Sequence, residues 1–399
     1  MKTRIFTEKD DLSEAADILR RGGFCAVPTE TVYGLCVNGL DPDAVAALYE
    51  LKGRPEIKPL SLMVAGNSDM EQYALDIPPQ ACALSAAFWP GPLTIVLKAR
   101  ETVPSVVRAG GSTIGLRCPD HPMTLSLLRR LGLPLAGPSA NPSGSPSPKT
   151  AEEVLSYFDG KIDALLDGGP CGVGKESTII DMTQTPFRIL RRGALNEDAI
   201  DDVLIRSMEV IGLTGGTGSG KTTVLHALED SGALGLDCDE IYHGMLEEGG
   251  PMMDELRARF PGAFSGGAFD RKALGRIVFS DAEALRDLNA ITHRYVFEEV
   301  RRQLRGHARN GGTRAAIDAV ELIESGLGKL CSFTVGVVAD PEKRAGRVMA
   351  REGIDRSYAL SRIAAQKGDD YFESNCTYVI RNDGTEEELL SRCRELFGI

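Results

Sequence analysis

Two α/β domains in one chain are what this sequence predicts, and three observations carry the expectation. The chain has 399 residues, beyond the length at which a single hydrophobic core keeps growing. Strand-length apolar runs alternate with helix-length amphipathic runs through both halves. At Val210 the pattern restarts, because VIGLTGGTGSGKTT reads as strand, glycine-rich loop and helix. The boundary is therefore expected near 207, giving domains 1–206 and 207–399 joined by a short linker at about 206–209.

In the first half FCAVPT, LTIVLKA, STIGLR, STIID and FRIL read as strands, and SEAADILRRG, DAVAALYELKG and AEEVLSYFDG as helices. The segment NPSGSPSPKT at 141–150 is too rich in proline and serine for a regular element and is expected to be a loop. In the second half VIGLTG, GALGLDCD, AAIDAV, FTVGVVAD and YVIRND are the expected strands. Between them lie KTTVLHALEDSG, a helical stretch reaching Arg309 and EKRAGRVMAREG, with a terminal helix at the end. Strands separated by helices favour a parallel, doubly wound sheet whose ligands sit at the strands' carboxyl ends. No internal repeat relates the halves, which points to fusion rather than duplication.

Composition narrows the function classes. Apolar residues make up 42% and charged residues 26%, an ordinary soluble balance. The opening residues mix charges and lack an apolar core of signal-peptide length, so a cytoplasmic location is expected, with no membrane partner. Nine cysteines, scattered singly and without a CxxC pair, are expected to be reduced core residues. A net charge of −12 argues against extended nucleic-acid binding, which needs a clustered positive surface, but leaves room for a local basic cleft.

Gly215, Gly220, Lys221 and Thr222 fit G-x-x-x-x-G-K-[ST] in the strand-to-helix context that the motif requires. Gly216, Gly218, Ser219, Gly220, Lys221, Thr222 and Thr223 are thus expected to cradle a triphosphate. Glycines let consecutive backbone N–H groups curl around phosphate oxygens, Lys221 bridges the outer phosphates, and Thr222 ligates Mg2+ carried in with ATP. Asp318, at the end of a strand, is a second candidate for the metal or its water shell, or simply a buried strand-end acid. Asp239 is the candidate base for an attacking hydroxyl, although Asp237 and Asp239 are equally able to cap the helix starting near Glu240.

The run GLTGGTGSGKTT, DCDEI, FDRKALGRIVF, LNAITH, ELIESGL, SRIAAQ and YVIRNDG resembles dephospho-CoA kinases over about 209–399. The resemblance implies transfer of the ATP γ-phosphate to the ribose 3'-hydroxyl of dephospho-CoA, giving coenzyme A. It implies that Asp239 serves that hydroxyl and that Arg347 and Arg351, spaced i, i+4 on one helix face, belong to a closing lid that binds ATP. Two positions depart from the pattern. Val320 to Glu324 reads VELIE where the family has Pro-Leu-Leu-Phe-Glu, and Arg294 follows His293 where the family has proline. Both are expected to touch the acceptor pocket.

In the first half PTETVYGLCVNG presents small hydroxyl residues after a strand, and LKGRPEIKPLSLMV gathers Lys52, Arg54 and Lys58 on a constrained loop. These hydroxyls either bind a polar ligand or satisfy a turn, and the cations either meet phosphates or stay solvated. With FWPGPLTIVL, STIGLRCPDHP, GPSANPSGSPS, KESTIID and ILRRGA, they resemble the YrdC-like threonylcarbamoyl-AMP synthases over about 8–205. The resemblance implies a twisted, mixed sheet around a positive cavity, and the reaction of L-threonine, bicarbonate or CO2, and ATP to threonylcarbamoyl-AMP and pyrophosphate for a tRNA modification. Downstream tRNA-modification proteins are the implied partners. Arg54, Lys58, Thr113, Ser139, Asn141, Ser147 and Arg191 would hold ATP, Thr31, Arg117 and Ser177 would hold threonine, and Lys52 would sit catalytically against the phosphates. Met63 and Gly137 depart from the pattern at the amino-acid end. The rival reading makes the first half a double-stranded-RNA-binding module and the second a kinase for another small alcohol or nucleoside.

Overall fold

A computed structural model describes residues 2–55, 57–265 and 268–399. Its close contacts divide the chain into two units, Met1–Ser207 with Arg309–Gly311, and Met208–Ala308 with Gly312–Ile399. Both are α/β. Among the described residues no helix is long and apolar enough to cross a membrane, and none of the nine cysteines is in a disulfide.

The first unit is built on an 11-stranded mixed sheet. Its functional part runs Gly34–Asn38, Leu135–Ala136, Ser61–Met63, Thr113–Arg117, Leu93–Ala99, Thr178–Asp181 and Arg188–Arg191. Thr113–Arg117 is antiparallel to Leu93–Ala99, which is parallel to Thr178–Asp181. The period of two decides which side chains face a ligand. Ile114, Leu116, Ile95 and Leu97 are buried, whereas Thr113, Gly115, Thr94 and Val96 line a cavity on the opposite face. The strands Gly34–Asn38, Ser61–Met63 and Ala164–Leu166 and the helices Pro79–Phe88 and Pro122–Leu131 extend the sequence reading. These strands are too short for a period to register, and both helices begin with proline at their first turn.

Local chemistry then places the basic loop. Helix Pro42–Lys52 starts where Asp41 accepts from the backbone N–H groups of Asp43 and Ala44, and stops at Gly53 with φ 57°. Lys52 therefore lies in a last turn packed inward, and Arg54 enters the loop beyond it. Gly137 is a residue of close approach. A Cβ there would lie 2.5 Å from Cys36 Sγ and 2.6 Å from the Leu35 carbonyl oxygen, so this strand crossing admits glycine alone.

The second unit holds a five-stranded sheet in the order Leu234–Asp237, Arg314–Asp318, Glu209–Thr214, Phe333–Val338, Tyr378–Arg381. Every neighbouring pair is parallel. Ile211, Leu213, Val335 and Val337 from its central strands pack with Val224 and Leu228 of helix Lys221–Asp230. The long helical stretch resolves into Cys238–Glu248, Pro251–Arg259, Arg271–Ser280 and Ala282–Arg309. Leu256, Phe260, Leu274 and Ile291 give it a core of its own, each fully buried aliphatic or aromatic side chain contributing about 1.5–3 kcal/mol.

Candidate functional sites

In the first unit the cavity has a volume of about 330 Å3, within the ~300–1,000 Å3 of small-molecule sites. Arg54, Arg117 and Arg191 supply its positive charge, and Thr31, Thr113, Ser139 and Ser177 supply hydroxyls. These residues come from strands and turns spread over more than a hundred positions, and the mixed sheet brings them to one wall. Met63 and Gly137 line the same space.

Each cation is held by protein groups. Arg117 Nη2 donates to Glu30 Oε1 at 2.7 Å and to Thr31 Oγ1 at 2.9 Å, while its Nε donates to the Gly91 carbonyl at 3.3 Å. Arg191 donates to the carbonyl and hydroxyl of Ser177, both at 3.0 Å. The Ser177 hydroxyl also lies 2.8 Å from that of Thr94. Burial lowers the Arg191 value, with Glu176 opposing the shift and Arg117 adding to it. Glu176 accepts from Ser147 at 2.8 Å. Hydrogen bonds from its own backbone and from that hydroxyl keep it below the ordinary carboxylate value.

Lys52 and Lys58 are placed differently from the expectation. Lys52 is buried, and its Nζ donates to the carbonyls of Ser139 and Asn141 instead of reaching the cavity wall. Burial, together with repulsion from Arg54, brings its ammonium down to about 8. Asn141, also buried, donates to the Pro142 carbonyl at 2.9 Å and the Ser145 carbonyl at 2.7 Å, and accepts from Ser139. Lys52 and Asn141 thereby shape the loop that carries Ser139. Lys58 is exposed, and its carbonyl accepts from Tyr49 at 2.8 Å and Arg54 at 3.3 Å. Glu30 and Glu176 escaped the sequence reading because single carboxylates in PTET and KEST look like solvated turn residues.

In the second unit the loop after strand Glu209–Thr214 leads into helix Lys221–Asp230. Gly215, Gly218 and Gly220 have φ of 145°, 78° and 106°, a region that side chains disfavour. A Cβ on Gly215 would lie 2.2 Å from the Val337 carbonyl oxygen, and one on Gly216 would collide with Arg344. The Ser219 hydroxyl is buried inside the loop with no hydrogen-bond partner among the described residues. Lys221 Nζ lies 3.8 Å from Asp318 Oδ1. Asp318 is raised to about 6, first by burial and then by Asp237 and Asp239, with Lys221 opposing. Thr222 is exposed in the helix's first turn and Thr223 is half-buried.

Helix Pro341–Glu352 braces the loop from behind. Arg344 is buried and donates to the Thr217 carbonyl at 3.0 Å and to Gln366 at 2.7 Å. Arg347 donates to the Gly218 carbonyl at 3.2 Å and to the Asn382 carbonyl at 3.0 Å. Asn382 in turn donates to the Ser219 carbonyl at 2.8 Å. Arg351 is not brought to the loop. It sits in the helix's exposed last turn and pairs with Glu352, so the i, i+3 pair Arg344 and Arg347, not the i, i+4 pair, faces the glycines. Asn382 was findable as the residue just past a carboxyl strand end and Gln366 as the last residue of SRIAAQ; Arg344 carried no signal of its own.

Asp237 is the helix cap, accepting from the N–H groups of Asp239 at 2.8 Å and Glu240 at 3.2 Å. That leaves the Asp239 carboxylate to line a second cavity of about 330 Å3 with His293, Val320 and Glu321. Arg294, expected at this pocket, is directed elsewhere. It pairs with Glu255 and lies over the Tyr295 ring at 4.8 Å, because the next residue along a helix is rotated ~100° from His293.

Comparison with known proteins agrees with this geometry half by half. Residues 17–193 match the Sua5/YciO/YrdC family model, described as telomere recombination, and residues 209–388 match the dephospho-CoA kinase model. A threonylcarbamoyl-AMP synthase of Pyrococcus abyssi is 45% identical over 190 residues, 48% of this chain and 56% of that protein. One from Halorhodospira halophila is 39% identical across 42% of this chain and 87% of its own length. A dephospho-CoA kinase of Geobacter sulfurreducens is 38% identical over 193 residues, 48% of this chain and 98% of its own length. The chain spans only 56%, 58% and 52% of the first three synthases it matches. Among solved structures, Pyrococcus abyssi Sua5 complexed with L-threonine aligns with a TM-score of 0.50 at 28% identity, covering 85% of this chain and 100% of that one. The chain thus belongs to two families in succession, the Sua5/YciO/YrdC family of threonylcarbamoyl-AMP synthases over residues 17–193 and the dephospho-CoA kinases over residues 209–388.

Proposed function

We propose that the chain is a bifunctional enzyme, with domains 1–206 and 207–399 acting independently. The first makes threonylcarbamoyl-AMP from L-threonine, bicarbonate and ATP; the second phosphorylates the 3'-hydroxyl of dephospho-CoA. The observation that carries the reading is the pair of unlike cradles. One gathers three guanidinium groups and a ring of hydroxyls in a cavity, and the other wraps glycines around the start of a helix beside Lys221 and Asp318.

In the first site the threonine amine adds to bicarbonate with loss of water, and the carbamate oxygen attacks the α-phosphorus as pyrophosphate leaves. Arg54 and Arg191 neutralise the leaving charge, while the hydroxyls of Thr113, Ser139 and Ser147 donate to ATP oxygens and orient them. Arg117, already fixed by Glu30 and Thr31, presents its remaining donors to the threonine carboxylate, with Ser177 beside it. Lys52 acts as a positioning residue for the Ser139–Asn141 loop.

In the second site Asp239 takes the proton of the acceptor hydroxyl, the oxygen attacks the γ-phosphorus, and ADP leaves. Lys221 and the loop N–H groups stabilise the charge that develops. The donor set suits magnesium, which needs few protein ligands when it arrives with ATP. Thr222 and Asp318 would hold it, and the repulsion that Asp237 and Asp239 exert on Asp318 is relieved by a cation. Bound there, Mg2+ would supply neutralisation of the phosphate charge.

Product analysis by mass spectrometry tests the reading on the full chain with ATP, magnesium, threonine, bicarbonate and dephospho-CoA. Threonylcarbamoyl-AMP, pyrophosphate, coenzyme A and ADP are the expected products. Pyrophosphate release indifferent to threonine, or ADP release indifferent to dephospho-CoA, sinks the corresponding half.

A further inference from the structure

The cavity that Asp239 lines is closed by helix Ala282–Arg309 on one side and by the segment after strand Arg314–Asp318 on another. Among the described residues that line it there is neither lysine nor arginine. Its charge comes from Asp239, Glu321 and, when protonated, His293. Lys367 stands near enough to lower the Glu321 carboxyl but does not line the cavity, so the wall suits an uncharged part of a substrate bearing hydroxyl or N–H groups better than a diphosphate. Since Asp239 is the carboxylate proposed to take the hydroxyl proton, the reacting sugar is the part the cavity admits.

Within this wall His293 Nε2 and Glu321 Oε2 lie 2.9 Å apart. The hydrogen bond from His293 keeps the Glu321 carboxyl below its ordinary value against the effect of burial. Glu321 is therefore the acceptor, and the imidazole proton sits on Nε2. In the neutral ring Nδ1 is then a lone-pair acceptor, and among the described residues the bond from Nε2 to Glu321 is the one hydrogen bond of the His293 side chain. Glu321 falls in VELIE, at a place where the pattern this half resembles carries leucine. Glu321 is thus this chain's own residue, set beside a histidine that the LNAITH motif carries.

We propose that His293 and Glu321 form the acceptor-recognition element of the second unit. Glu321 is a positioning residue that holds the ring, and His293 Nδ1 accepts a hydrogen bond from a hydroxyl or N–H of the neutral, sugar-bearing end of the acceptor. The proposal rests on reading this unit as a dephospho-CoA kinase.

The test is steady-state ADP release by the full chain with ATP and magnesium, offering dephospho-CoA, adenosine and pantetheine in turn. The variants are His293→Ala, Glu321→Leu and Glu321→Gln. With the acceptor that the wild type phosphorylates, His293→Ala and Glu321→Leu should raise the acceptor KM about tenfold and leave the KM for ATP unchanged. Glu321→Gln keeps an acceptor oxygen and should stay close to the wild type. Both side chains are partly exposed, 27% and 54%, so thermal melting should move little. An unchanged acceptor KM in both deletion variants, or an ATP KM that moves equally, overturns the proposal. Phosphorylation of adenosine or pantetheine but not dephospho-CoA defeats the dephospho-CoA reading alone, because the same variants still decide the role of the pair with that acceptor. Turnover of no acceptor overturns both.

Discussion

In the first unit the positive charge that faces the cavity is carried by arginine side chains from separate strands and turns, each oriented by a carboxylate, hydroxyl or carbonyl of the protein. In the second it comes from backbone N–H groups at a helix start, with one lysine, while arginines stand behind the loop holding its carbonyls. The contrast separates two ways of preorganising a phosphate site. Side-chain cradles depend on packing that fixes long, flexible groups, so their weak points are the residues that brace them. A backbone cradle depends on φ values that only glycine adopts without strain, so its weak points are the glycines themselves.

The largest expected effect follows from that difference. Gly215→Ala places a Cβ against the Val337 carbonyl at 2.2 Å with φ at 145°, and the loop cannot keep its form. Kinase turnover should drop at least 100-fold, measured as ADP release, while threonine-dependent pyrophosphate release persists. Retained kinase turnover would remove the backbone side of the comparison.

Lys52→Met probes the side-chain cradle through a residue that does not line the cavity. Loss of two carbonyl hydrogen bonds from a buried ammonium should reduce kcat/KM for ATP about 10- to 100-fold. Partial rescue by added ethylamine with a Lys52→Ala variant is expected, because a free amine can refill the space. An unaltered kcat/KM would contradict the positioning role.

A pH profile sharpens the comparison further. Asp318 is raised from 3.8 to about 6, so in the folded chain it is neutral below that value and anionic above it. Set against 3.8 in the unfolded chain, this acid costs stability progressively as pH rises from about 3.8 to about 6, the full cost stands above that, and the anion present there is the metal-binding form. The kinase kcat/KM should therefore fall about tenfold per pH unit below about 6. Pyrophosphate release from the first unit should show no midpoint there, since Glu176 is held below its ordinary value. A kinase profile that stays flat as pH falls through about 6 excludes this role for Asp318.

The glycine loop was legible in the sequence because its constraint is local; strand, loop and helix are consecutive, and each glycine's need is written at its own position. Of the two aspartates able to cap the helix, the geometry gives the cap to Asp237 and leaves Asp239 at the cavity. What escaped depends on contacts between distant segments. Lys52 and Arg54 are two residues apart on one basic loop, yet the end of a helix turns one inward and leaves the other at the cavity. Arg344 and Arg351 look alike on one helix, and only packing against the loop tells them apart. Gly137 looked like a lost side chain, whereas Cys36 and Leu35 leave no room for one.

The central claim is that these are two separate ATP-using sites, and Lys221→Ala tests it most directly. One preparation is assayed twice, for ADP release with dephospho-CoA and for pyrophosphate release with threonine and bicarbonate. The account predicts that the first falls by about 10²–10³ and the second keeps its wild-type rate. Loss of both, or of neither, would contradict it.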